Sequence, residues 1–141
     1  MTVHPRIKSP KQEGCASWMR AACKNGSEVQ TNAMQYGISY KYNKDFSGGA
    51  LTDFEMDLGV FLATRGPYAW LGYGWMGCGC GWEHDGKMPC DIYQRPAILD
   101  KDFGRPTELC QETAPGVFKR AWTASTVTVD CNAYTSDIMF K

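Results

Sequence analysis

The sequence has no excess of charge: fifteen Lys and Arg cancel fifteen Asp and Glu. That balance removes the electrostatic footprint expected of a nucleic-acid binder or of a protein held on an anionic membrane, so neither is expected as a partner. No apolar run approaches the ~18–20 residues that cross a bilayer. The opening stretch, residues 1–14, is polar, carries Pro5 and Pro10, and lacks the apolar segment of a secretory signal. It reads as an unstructured lead-in. Internal repeats and low-complexity tracts are also missing.

What remains is ordinary in size and unusual in side chains. The 141 residues suffice for one domain with a core, and 43% of them are hydrophobic. Aromatics make up 13%, including five Trp, a residue that often builds binding surfaces. There are seven cysteines: Cys15, Cys23, Cys78, Cys80, Cys90, Cys110 and Cys131. Their density suits an oxidising compartment, while the odd count is awkward for a closed disulfide set. The protein is therefore expected to be extracellular or in the secretory pathway if a signal lies upstream, and cytoplasmic otherwise. Asn25-Gly26-Ser27 forms a glycosylation triplet common enough by chance to decide nothing.

Periodicity gives the coarse layout. Cys15 to Cys23 reads as a short helix with Trp18, Met19 and Ala22 inward. Residues 33–42 read as a strand. Residues 52–65 read as a helix: Thr52 and Glu55 have capping-box spacing, and Phe54, Leu58, Phe61 and Leu62 share one face. Arg65-Gly66-Pro67 ends it. Tyr68 to Tyr73 reads as a short buried strand. Residues 87–116, with Pro89, Pro96, Pro106 and Pro115, are expected to be irregular. Val117 to Trp122 and Thr126 to Asp130 form a hairpin, with Val127 and Val129 on one face.

Chemistry concentrates between Tyr68 and Asp85 (YAWLGYGWMGCGCGWEHD). Sugar rings offer C–H groups to aromatic faces and hydroxyls to nearby acceptors, so Tyr73, Trp75 and Trp82 are candidate carbohydrate-binding residues. The competing reading makes them core or loop anchors. Glu83 and Asp85 are the candidate catalytic carboxylates, because glycoside cleavage needs two such groups. The competing reading is a solvated loop tip. Cys78, Cys80, His84 and Cys90 could offer zinc four ligands. Their spacing is not a standard zinc signature, so disulfide halves or free thiols are preferred, and no cofactor or metal is expected. Asp100, Asp102, Arg105 and Glu108 either line a cleft or form a solvated turn.

The runs FEMDLGVFLATRGPYAWLGYGW and ILDKDFGRPTELCQETAPGVFKRAWTASTVTVDCNAYTSDI resemble the C-terminal end of glycoside hydrolases with a TIM-barrel fold. The resemblance spans residues 51–138, and the order of its pieces is more telling than any one of them. It implies an α+β or partial α/β architecture: the last helix and strand of a (β/α)8 barrel, an irregular loop region and a C-terminal β-hairpin. Residues 1–50 would be a poorly defined lead-in and residues 51–141 the hydrolase-like segment. Tyr68 to Tyr73 would be the final barrel strand, and the Trp75–Asp85 loop would face the sugar. A full barrel needs on the order of 250 residues, so the chain is expected to require missing upstream sequence and to be inactive alone. The CGCGWEHDGKMPC insert departs from the family pattern. The alternative is an autonomous disulfide-rich module that binds carbohydrate or protein.

Overall fold

The structure, a computed structural model, describes residues 11–25, 54–66, 71 and 96–141. Among the described residues, two helices, α1 (Gln12–Asn25) and α2 (Phe54–Thr64), pack against a four-stranded sheet. The strands are β1 (Gln111–Ala114), β2 (Val117–Ala121), β3 (Ser125–Asp130) and β4 (Thr135–Phe140). A short 3-10 helix, Ala97–Asp100, precedes the sheet.

The strands run in sequence order, and every pairing between them is antiparallel. This corrects the barrel expectation. Barrel strands are parallel and are joined through helices. Here each strand returns directly on its predecessor through a turn, and the hairpin expected over residues 117–130 is the middle of a meander. Of the segment assigned as the last barrel strand, only Leu71 is described, and it is not in a strand.

Local chemistry explains the turns. Pro115-Gly116 joins β1 to β2; Pro fixes the first central position and Gly116 supplies φ +75°, as a type II turn requires. Asn132 secures that turn by donating from Nδ2 to the Pro115 carbonyl at 2.8 Å. In β3, Ser125, Val127 and Val129 are fully buried and alternate with half-buried residues. In β2, Phe118 and Arg120 face the same side, followed by Trp122.

α2 lies on this inner face, touching β2, β3 and β4. Phe54, Leu58, Phe61 and Leu62 are all buried, as expected, but so are Met56, Val60 and Ala63. At Gly59 the helix meets β4 so closely that an added Cβ would overlap the Ser136 side chain. The Ser136 hydroxyl donates to the Glu55 carbonyl at the same crossing.

α1 extends the expected Cys15–Cys23 helix in both directions, taking in residues 12–14 of the supposed lead-in. Cys15, Met19, Ala22 and Cys23 are buried at i, i+4, i+7 and i+8, and Trp18 is only partly buried. The two cysteines of that stripe are disulfide-bonded, Cys15 to Cys131 after β3 and Cys23 to Cys110 before β1. The helix is thus bolted to the sheet at two levels. At the surface, Arg20 makes a bidentate pair with Glu112 at 2.7 and 2.8 Å.

Candidate functional site

The residues singled out from the sequence as the carbohydrate-facing and catalytic set are Tyr73, Trp75, Trp82, Glu83 and Asp85. These lie outside the described residues, as do the possible zinc ligands Cys78, Cys80, His84 and Cys90. The described residues that bracket this segment are Leu71, packed against the core, and Pro96, which lines a surface groove. Among the described residues no group of three or more metal-ligating side chains occurs. No described helix is long and apolar enough to cross a membrane.

Asp100, Asp102, Arg105 and Glu108 form turns and an extended strap, with exposed side chains. The Asp102 carboxylate accepts from the Gly104 N–H at 2.8 Å, and Gly104 turns the chain at φ +83°. Arg105 and Thr123 exchange main-chain and side-chain bonds at 2.9 Å, and Ser125 donates to the Phe103 carbonyl at 2.9 Å. The acidic and basic side chains here ride on a strap sewn to the β2–β3 turn.

Two other places bring functional groups together. The first is an open groove of about 450 Å³ between the start of α2, the 3-10 turn and β4. Phe54, Leu58, Pro96, Ile98 and Ile138 make its apolar lining. Among the described residues, Glu55, Ser136 and Asp137 supply its polar atoms, and no Lys, Arg or His lines it. The consecutive residues Ser136, Asp137 and Ile138 all line it. Neighbouring side chains on a strand point to opposite faces, so a groove touched by three in a row runs along the strand's edge.

The second is the C-terminal end of α2. Arg120, 5% exposed, donates from Nη1 to the carbonyls of Leu62 and Ala63 at 3.3 Å and of Arg65 at 2.7 Å. Its Nε donates to the Glu108 carbonyl at 2.8 Å. The last carbonyls of a helix lack intrahelical donors and carry the negative end of its dipole, so a guanidinium is the matching cap. Arg65 and Arg120 also lie 5.7 and 5.5 Å from the ring centre of Trp122. Burial lowers the pKa of both arginines, and for Arg120 the nearby Arg65 charge adds to this. The Trp122 Nε1–H, fully buried, has no hydrogen-bond partner among the described residues. The arrangement organises the core around α2; it offers no nucleophile or acid–base pair.

The sequence reading missed the groove. Glu55 registered only as a helix-cap residue, and Ser136 and Asp137 belong to a strand that lacks alternation. No family model matches the chain, and no curated protein matches it.

Proposed function

We propose that the chain is a disulfide-stapled binding module of an oxidising compartment, with carbohydrate as its ligand. The observation that carries the module reading is the double bolt of α1 to the sheet, Cys15–Cys131 and Cys23–Cys110. Structural disulfides of this kind persist in secreted and extracellular proteins and are rare in reducing cytosol. Small domains use them where the core alone is marginal.

The carbohydrate reading is supported by the aromatic and glycine-rich run from Tyr73 to Trp82. Glycines let the chain turn tightly while indole and phenol faces stack on sugar rings. The resemblance of residues 51–138 to glycoside hydrolases supports the same ligand class. In this reading the module holds a polysaccharide for a sugar-processing protein, with Tyr73, Trp75 and Trp82 as platforms, and hydrolysis is not its own task.

The test is retention of the oxidised 1–141 chain on insoluble polysaccharides of several backbones, alongside Trp75→Ala and Trp82→Ala. Retention on at least one, lost in either variant with thermal unfolding unchanged, supports the assignment. Absence of retention on all of them, or retention indifferent to both substitutions, overturns it.

A further inference from the structure

The groove beside β4 has features that a sugar platform does not need. Its apolar lining is aliphatic apart from Phe54. It follows a strand edge: β4 pairs with β3 on one side, and among the described residues nothing pairs with it on the other. An unpaired edge presents main-chain N–H and C=O groups in register for another extended segment.

Charge narrows the occupant. Glu55 and Asp137 are exposed, and neither forms an ion pair among the described residues. Two lysines lie toward the C-terminal end of β4, Lys101 over the Phe140 ring at 4.7 Å and Lys141 on the Trp122 carbonyl at 2.8 Å, and neither lines the groove. With the whole chain neutral, the described residues make this a local negative site on an apolar floor. A lysine or arginine side chain matches both parts, laying its aliphatic stem on the floor and its cationic head at a carboxylate.

We propose that this groove docks an extended, lysine- or arginine-bearing segment of a partner protein, added as a strand to the outer edge of β4. The main chain of the partner supplies the hydrogen bonds, and its basic side chains meet Glu55 and Asp137. The proposal does not depend on the carbohydrate reading.

The experiment titrates the oxidised 1–141 chain into a fluorescent, end-blocked hexapeptide of alternating lysine and valine, read by polarisation. Matched probes replace lysine by glutamate, or N-methylate alternate amides. Binding of the basic probe, weakened by salt and at least tenfold by Glu55→Gln/Asp137→Asn or by Asp137→Lys, is the expected result. The acidic and N-methylated probes are expected to bind at least tenfold more weakly. Trp75→Ala and Trp82→Ala should leave the basic probe unaffected, which separates this site from the carbohydrate one. No binding of the basic probe at millimolar protein overturns the proposal. So does affinity within twofold in the carboxylate variants, or equal binding of the N-methylated probe.

Discussion

The Arg120 guanidinium donates to the main-chain carbonyl of Arg65 at 2.7 Å, joining β2 to the end of a helix 55 residues earlier in the chain. The same Nη1 also reaches the Leu62 and Ala63 carbonyls. Arg120→Ala leaves these buried acceptors unanswered and removes the stem packed beside Trp122. Hydrogen bonds to a charged group contribute about 1.5–3 kcal/mol, so the loss should fall near that range. Arg120→Lys should recover only part of it, because a single ammonium cannot serve both Glu108 and the helix end. Urea unfolding of the three proteins is the measurement.

The disulfides are nested, with Cys23–Cys110 inside the loop closed by Cys15–Cys131. By loop entropy alone, either bond would contribute about 4.5–5 kcal/mol if it were the only crosslink. With one in place the other closes a ring of only roughly 30 residues, worth about 3.5 kcal/mol. Cys15→Ser/Cys131→Ser and Cys23→Ser/Cys110→Ser should therefore each cost less than the single-bond figure. Removing both should cost more than the sum of the two. Unfolding under non-reducing conditions, compared across the set, checks the non-additivity.

Gly59 faces Ser136 with no room for a methyl group. Gly59→Ala should destabilise by about 1–3 kcal/mol through overpacking, against the usual gain of helix propensity. Adding Ser136→Gly should recover part of the loss by clearing the space, though the bond to Glu55 goes with the hydroxyl. A double-mutant cycle reads the coupling as an interaction energy.

The Arg20 hydrogen bonds, followed by the Gly116 N–H, hold Glu112 down from 4.5 to about 2. A depressed carboxylate contributes stability above its unfolded pKa and loses it as pH falls through the folded one. The contribution should be full above about pH 4.5 and gone near pH 2. Because the pair sits at the surface, its size is modest and salt-sensitive. Glu112→Gln should flatten this part of the acid-unfolding profile, and wild type and variant should converge toward pH 2.

The elements legible in the sequence were those with a one-sided burial pattern. Phe54, Leu58, Phe61 and Leu62 announced α2, and Val127 and Val129 announced β3, because each set repeats at the period of its element. β1 did not stand out: Gln111–Ala114 is exposed along its whole length. In β4, polar Ser136 and apolar Ile138 share the inner face, so no alternation appears. Missing these two edge strands left a hairpin where a four-stranded sheet stands, and a hairpin could be fitted to the end of a barrel. The disulfide partners were illegible because pairing depends on how α1 meets the sheet, which spacing does not encode. The sequence pointed to the 73–85 run for function, while the groove needed three elements brought together.

The order of the disulfide partners along the chain bears on how the protein is made. During synthesis α1 emerges before the sheet, with Cys15 and Cys23 as thiols. Their partners, Cys110 and Cys131, appear only after Cys78, Cys80 and Cys90 have passed by. In the oxidising compartment proposed for this chain, the helix therefore meets three wrong partners before either right one exists. The sheet, built of consecutive hairpins, can form as soon as residues 111–141 are free, and it then gathers both correct cysteines beside the helix. Efficient production should thus depend on an isomerase that undoes early pairings, and yield in its absence should improve when Cys78, Cys80 and Cys90 are replaced by serine.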